Sequence, residues 1–163
     1  MNALLTLVAL IAAAAAVVLA SSADLPPTVA AHFGANGAPD GYMSREAYVA
    51  FMTLLLVVLP LLLAATGRLS ARLPSRLVNL PHKDYWLAPE RRAGTLARIG
   101  LLSALYAHVL VLFLVFAHWL IVDAHGQTPV QLAEGPFFAG LGIFVAITLA
   151  WAMAFHFAFR RPR

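Results

Sequence analysis

The sequence predicts an all-α, polytopic membrane protein, a bundle of four transmembrane helices with both termini in the cytoplasm. Its 163 residues are 62% hydrophobic and only 11% charged. Four apolar runs are long enough to cross a bilayer, and the basic residues gather on one side of them. Soluble proteins average about 45–50% apolar and about 25% charged residues. A chain this short could not hide so much apolar surface inside itself, so the composition excludes an ordinary soluble domain.

The apolar runs define the predicted spans, which lie within one membrane domain covering residues 1–163. The four spans are residues 3–20, 47–66, 100–122 and 137–159. About 20 apolar residues in a helix cross a hydrocarbon core of about 30 Å. Helices satisfy their backbone hydrogen bonds within one segment, and the runs lack the alternating polarity of membrane β-strands. The remaining segments are predicted as two outer loops, 21–46 and 123–136, and one cytoplasmic loop, 67–99.

The basic residues determine the predicted orientation. Ten of the eleven Lys and Arg residues lie in the 67–99 connection or after the fourth span, and the other is Arg45. The ten are Arg68, Arg72, Arg76, Lys83, Arg91, Arg92, Arg98, Arg160, Arg161 and Arg163. Loops rich in Lys and Arg stay on the cytoplasmic side, which places both termini there. The net charge of +4 then indicates contact with anionic lipids at the cytoplasmic face rather than with nucleic acid.

Residues 1–23 have an alternative interpretation as a cleaved signal peptide, because Ala20-Ser21-Ser22-Ala23 resembles a cleavage site. Two features favour a retained helix instead. No Lys or Arg precedes the apolar run, and that run exceeds the usual length of about 7–15 residues in a signal peptide.

Local signals mark several ends of elements. Ser44 is predicted to cap the second helix, with Glu46 in its first turn. Pro89 suits the first turn of a helix leading into the third span, just after Ala88. Residues 25–31 are predicted to form a short interfacial turn of helix after Pro26 and Pro27.

Small residues repeat every four positions in the fourth helix. They are Gly142, Ala146, Ala150, Ala154 and Ala158. Such a stripe lets a second backbone approach closely, which predicts packing within the bundle. A homo-oligomer interface is the alternative.

Turn-forming residues are concentrated in the outer loop between residues 25 and 46. Gly34, Gly37 and Gly41 fall within eight residues, which predicts a compact, turn-rich loop. His32 and Asp40 are the residues of this loop whose side chains can bind a ligand. They could belong to a metal site, form structural hydrogen bonds or contribute to a partner-binding surface. Asp40 has the alternative of an Asx-type turn bond.

A metal site would need further ligands from the other outer segment. The candidate ligand set for Zn or Cu is His32, Asp40, His118, Asp123 and His125. Their spacing along the chain is not diagnostic of a metal site, and His118 has the alternative of an interfacial position. No cofactor is otherwise expected.

The cytoplasmic loop is the second segment with a distinct pattern. Arg68, Arg72 and Arg76 recur every four residues and would present an arginine face to lipid phosphates if the second helix continued. Pro74 favours an end to that helix nearby. A mixed-sign cluster follows up to Arg92, which predicts a membrane anchor with local salt bridges or a docking site for a protein partner.

His108 falls near the middle of the third span, where an ionisable group is a functional candidate. Because no Asp, Glu, Lys or Arg lies within any predicted span, a hydrogen-bonded neutral imidazole is the simpler expectation. The predicted partners are Ser103, Tyr106, Thr53 and Thr148.

The outer segment contains Leu25-Pro26, Ala31-His32-Phe33, Asn36, Pro39-Asp40-Gly41-Tyr42 and Ser44. This pattern resembles a bacterial membrane domain of unknown function that also forms the N-terminal part of SdpI-like immunity proteins. The inner segment runs from Asn79 to Arg92 and includes Lys83, Asp84, Tyr85, Trp86, Glu90 and Arg91. It is similar to a segment of stand-alone members of that family.

This resemblance implies a multi-pass protein of the bacterial inner membrane that binds or senses a ligand, in toxin protection or envelope stress signalling. The outer motif would then face a secreted peptide, and the inner motif would contact lipid or a partner. The alternative is a metal-dependent membrane enzyme or small-solute carrier that uses the outer His and Asp residues. Since motifs for a nucleophile, a zinc protease or a phosphate loop are lacking, an enzyme is the less expected outcome.

Overall fold

The computed structural model describes residues 2–160 and is mostly helical within that range. Its elements are α1 (Ala3–Ser21), β1 (Thr28–Phe33), β2 (Pro39–Ser44), α2 (Arg45–Ala71), α3 (Lys83–Trp86), α4 (Pro89–His125) and α5 (Glu134–Ala158). A 3-10 turn covers Ser75–Leu77. In the described range, α1, α2, α4 and α5 are the four helices long and apolar enough to cross a membrane. Arg161 and Arg163, which enter the charge argument, lie outside it.

The predicted helix starts are confirmed, but α2 and α4 extend well beyond their apolar runs. The Ser44 side chain accepts a hydrogen bond from the Ala47 N–H, and Pro89 occupies the first turn of α4. The 37 residues of α4 would extend about 56 Å at 1.5 Å per residue, well beyond a hydrocarbon core of about 30 Å. A run of apolar residues marks only the part of a helix that suits lipid. The helix itself continues until the chain reaches a residue or turn that ends it. The connection between α2 and α4 is therefore residues 72–88, and the predicted arginine face ends before Arg76.

The all-α prediction is incomplete, because β1 and β2 form an antiparallel hairpin. The predicted helical turn over residues 25–31 is therefore wrong. Val29 and Ala30 of β1 are buried, and Val29 packs among the core residues of the helices. Strand propensity depends strongly on such packing, so this short segment did not reveal a strand by itself.

The core of the bundle is formed by α1, α2 and α4. Its buried positions follow helical spacing and comprise Leu7, Ile11, Ala14 and Val18 of α1, Tyr48, Met52 and Leu56 of α2, and Ala107 and Val111 of α4. Most residues in the apolar window of each of these helices are not buried, although the mean hydropathy of each window is 2.4 or more. Apolar surface turned outward in this way suits a lipid environment. We call the end that carries β1 and β2 the hairpin end, and the end that carries residues 72–88 the arginine end.

The fourth long helix, α5, lies at the edge of the bundle and packs on α4. Residues 134–158 include no buried residue. The contact with α4 uses Gly140, where a Cβ would overlap the Phe116 ring, whereas a Cβ at Gly142 would meet nothing within 4 Å. The stripe of small residues was predicted to pack within the bundle. At Gly142, its first residue, this prediction is wrong. A role in a homo-oligomer stays a prediction.

A close helix crossing lies toward the arginine end, between α2 and α4. A Cβ at Gly67 would overlap the Leu96 carbonyl oxygen and lie 2.8 Å from the Gly100 Cα. Because lipid gives apolar helices little reason to associate, close backbone approach of this kind contributes strongly to packing.

We predict that Gly67→Ala destabilises the protein by about 1–3 kcal/mol, because the added methyl group forces two backbones apart. Thermal unfolding in detergent, followed by circular dichroism, measures the change. Gly94→Ala is the matched control, since a Cβ there meets nothing within 4 Å and alanine favours the helix. Equal unfolding temperatures for the two variants would contradict the crossing.

Candidate functional site: a cavity beneath the hairpin

The tip of the hairpin is a compact turn. The Gly34 N–H donates to the Ala38 carbonyl at 2.9 Å, and the Ala38 N–H donates to Asn36 Oδ1 at 3.1 Å. Gly37 has a positive φ of 71°, a conformation that glycine adopts without strain. Asn36 thus makes an Asx-type bond in this turn. Asp40, for which such a bond was the alternative, bonds to His32.

The tip is attached to the connection between α4 and α5. The Leu132 N–H donates to the Gly37 carbonyl at 2.9 Å, and Gln131 Nε2 donates to the Asn36 carbonyl at 2.7 Å. A Cβ at Gly37 would lie only 2.6 Å from the Leu132 carbonyl oxygen. These contacts hold the hairpin across the end of the bundle, where it covers the space between the helices. We call this cover the roof.

The base of the hairpin is fixed to the helices by two side chains. His125 Nδ1 lies 2.8 Å from the Ile121 carbonyl and so donates to it, while Nε2 accepts the Ala30 N–H at 3.0 Å. Ala30 is buried, so this bond satisfies a backbone donor that water cannot reach. Arg45 Nη1 donates to the carbonyls of Ala23 and Leu25.

A cavity of about 520 Å³ lies beneath this roof, between α2, α4 and the start of α5. Its wall is mainly aliphatic, aromatic and methionine side chains: Ala31, Phe33, Met43, Phe51, Met52, Ala117, Leu120, Ile121, Leu132, Phe137 and Phe138. His32, Tyr48 and Glu134 add polar groups to the lining. An apolar concavity of several hundred Å³ with a few polar groups is typical of a small-ligand site. We call it the outer cavity.

His32 and Asp40 meet across the hairpin, where His32 Nδ1 and Asp40 Oδ1 form a hydrogen-bonded pair. Their side chains are 77% and 52% exposed, so the pair contributes little to stability. Gly41 pairs with His32 and Pro39 with Phe33 in the strand register. A Cβ at Gly41 would lie 2.8 Å from the His32 Cβ, which explains a glycine opposite this histidine.

The other predicted metal ligands do not join that pair. His118 and His125 bond to other groups. Residues 2–160 include no group of three or more His, Asp or Glu residues that could hold a metal ion. The proposed set of His32, Asp40, His118, Asp123 and His125 is therefore not assembled, because the hairpin directs the His32–Asp40 pair outward while His118 lies in the helical core.

His118 is the buried polar centre of the bundle at the hairpin end, and it is 1% exposed. Its Nε2 lies 2.7 Å from Ser21 Oγ, and its Nδ1 lies 2.8 Å from the Tyr48 hydroxyl. Since Ser21 Oγ already donates its proton to the Val17 carbonyl at 2.7 Å, Nε2 donates to Ser21 and Nδ1 accepts from Tyr48. A neutral imidazole thereby joins α1, α2 and α4 with every polar group satisfied.

Neither Ser21 nor Tyr48 stands out from the sequence as a functional residue. The spacing of Tyr48, Met52 and Leu56 places the three on one helical face, which is the signal that could have assigned Tyr48 to the core. Since Tyr48 also lines the outer cavity, the wall of the cavity and the polar centre share this side chain.

His108 joins α4 to α1 nearer the middle of the bundle. Its Nδ1 donates to the Ala104 carbonyl at 2.8 Å, and its Nε2 lies 3.0 Å from Thr6 Oγ1. Hydrogen bonding of His108 is thus confirmed, but none of the four predicted partners is correct. Tyr106 and Thr148 bond to each other instead, at 2.7 Å.

The motif at the arginine end forms internal contacts. Arg92 donates to Ser75 Oγ and to the carbonyls of Ser70, Ala71 and Leu73, so it caps the end of α2. Cations at a helix C-terminus stabilise its unpaired carbonyls. Arg91 donates from Nε to the Tyr85 carbonyl at 2.8 Å, and its guanidinium lies 4.0 Å from the Tyr85 ring centre.

Trp86 connects this motif to the end of α5, because its Nε1 donates to the Phe159 carbonyl at 2.7 Å. The Lys83 ammonium lies 3.5 Å from the Arg76 carbonyl. Asn79 and Asp84 line a shallow depression beside it, and Glu90 lies in the first turn of α4. The contacts of the motif give it a structural role at this end, and contact with lipid or a partner stays a prediction.

The fold and the site together define a membrane-type helical bundle with a hairpin-roofed cavity at one end. Within it, residues 7–63 match the family described as "Domain of unknown function (DUF1648)". The matched segment covers most of α1, the whole hairpin and most of α2. Of these elements, the hairpin and α2 line the cavity. Comparison with curated proteins and with solved structures gave no match.

We predict that Tyr48→Phe lowers the free energy of unfolding by about 1–2 kcal/mol, because the acceptor nitrogen of His118 loses its buried donor. Thermal unfolding in detergent measures this loss. Tyr42→Phe removes a hydroxyl from a residue that is 61% exposed and serves as the control. A loss of similar size in both variants would argue against the polar centre.

Proposed function

We propose that this chain is a multi-pass protein of the bacterial inner membrane that binds an extracytoplasmic ligand in the outer cavity, with both termini in the cytoplasm. The observation that carries the proposal is an apolar cavity of about 520 Å³ roofed by the hairpin. The matching family has no described activity, so the ligand class comes from the resemblance to SdpI-like immunity proteins. That resemblance favours a secreted, membrane-active peptide and a role in toxin protection.

The orientation follows from charge. Ten of the eleven Lys and Arg residues belong to the arginine end or the chain beyond α5, and such segments are retained on the cytoplasmic side. The acidic residues Asp40, Asp123 and Glu134 lie at or near the hairpin end. A cavity at that end would open to the outer leaflet and the extracytoplasmic solution, where a secreted peptide arrives.

Because the chain has no cysteine, single introduced thiols test the orientation directly. Tyr42 of the hairpin and Leu77 of the arginine end are each 61% exposed. In intact cells, a membrane-impermeant maleimide should label Tyr42→Cys and leave Leu77→Cys unlabelled until the membrane is permeabilised. Labelling of Leu77→Cys alone before permeabilisation would reverse the orientation and remove the basis for an extracytoplasmic ligand.

We expect that expression of the protein protects a susceptible bacterial host from at least one of a panel of secreted pore-forming peptides. Ala117→Phe should abolish the protection, because its ring would fill the cavity that Ala117 lines. The measurement is the peptide concentration that inhibits growth by half, with membrane levels of each variant matched.

Ala152→Phe is the control, since Ala152 is exposed on α5 and lies outside the cavity. Equal killing of cells with and without the protein, across the whole panel, would refute protection. Full protection by Ala117→Phe would refute the cavity as the site.

A further inference from the structure

A second concave surface lies on the other side of the hairpin end, between the end of α1 and the first half of α2. It has a volume of about 740 Å³, and we call it the α1–α2 groove. Leu19, Val49, Leu54 and Val57 contribute apolar walls. The groove lies on two of the apolar helices and is separate from the outer cavity, so it would face the lipid directly.

Two hydroxyl groups in the wall of this groove are unsatisfied. Ser22 Oγ and Thr53 Oγ1 are buried and have no hydrogen-bond partner among residues 2–160. Other helical hydroxyls in the bundle do have partners, for example Thr66 Oγ1, which donates to the Leu63 carbonyl at 2.8 Å. An unmade hydrogen bond of a buried group costs free energy. Both residues line the groove.

The end of the groove carries one charge of each sign. Arg45 and Glu46 both line it, and the bonds from Arg45 Nη1 to the Ala23 and Leu25 carbonyls hold the guanidinium in place. Arg45 is the first residue of α2, so both charges lie just above the apolar part of the helix. That is the level of lipid headgroups.

We propose that the α1–α2 groove binds a zwitterionic phospholipid with a primary ammonium group, of the phosphatidylethanolamine type. The phosphate pairs with Arg45 and the ammonium with Glu46. Ser22 and Thr53 donate to the ester carbonyls, and the acyl chains lie along Leu54 and Val57. Adjacent opposite charges fit a headgroup that carries both signs, whereas an anionic headgroup would place its excess negative charge beside Glu46.

Native mass spectrometry of the detergent-solubilised full chain tests the proposal. The protein is titrated with phosphatidylethanolamine or with phosphatidylglycerol of identical acyl chains. We expect the first lipid to bind about threefold more tightly, the scale of one partly exposed ion pair. Glu46→Gln should abolish this preference, and Thr53→Val should weaken binding of both lipids because both carry ester carbonyls.

Two control variants separate the groove from general effects. Glu134→Gln neutralises another first-turn glutamate outside the groove, and Thr66→Val removes a hydroxyl elsewhere on α2. Both should bind lipid as the unmodified chain does. Equal affinity for the two lipids, or an ethanolamine preference that survives Glu46→Gln, would overturn the proposal. Neither result depends on the outer cavity, so toxin protection is tested separately.

Discussion

The structure depends on one constraint: in lipid, apolar surface alone does not hold helices together. Association then requires close backbone contact and interhelical hydrogen bonds. The bundle has both, with Gly67 of α2 against Gly100 of α4 near one end and the His118 hydrogen bonds at the other. His108 and Thr6 add a further link between α4 and α1. The three-helix core is therefore held at several depths by specific contacts.

The position of α5 follows from the same constraint. Its polar contacts with α4 are the Tyr106–Thr148 bond and the bond from Trp151 Nε1 to the Leu102 carbonyl at 3.0 Å. Aromatic stacking adds to them, with the rings of Phe113 and Phe144 4.1 Å apart. A helix attached along a single face leaves a gap next to α2, and the hairpin covers that gap. The outer cavity is thus a consequence of how α5 and the hairpin share the end of the bundle.

The two ends of the molecule illustrate different uses of polar groups. At the arginine end, Arg92 and Trp86 satisfy carbonyls at the ends of helices, which closes the bundle. At the hairpin end, the backbone bonds of Gly37 and Ala30 hold a roof over apolar space. The family match over residues 7–63 includes the outer motif and ends before the inner one. Their contacts assign internal structure to the inner motif and leave the outer motif as the wall of the candidate site.

The sequence by itself determined the four helices and the charge asymmetry of their connections, because hydropathy and turn chemistry are local properties. Helix starts at Ser44 and Pro89 were predictable for the same reason. The hairpin was not, since Val29 becomes a buried strand residue only when helix ends lie beside it. Nor were the partners of His118 and His108, because Ser21, Tyr48 and Thr6 are distant in the chain. The tertiary structure decided these contacts. It also separated the predicted metal ligands and formed both concave surfaces. Each of these depends on which helices pack together and at which level along their axes.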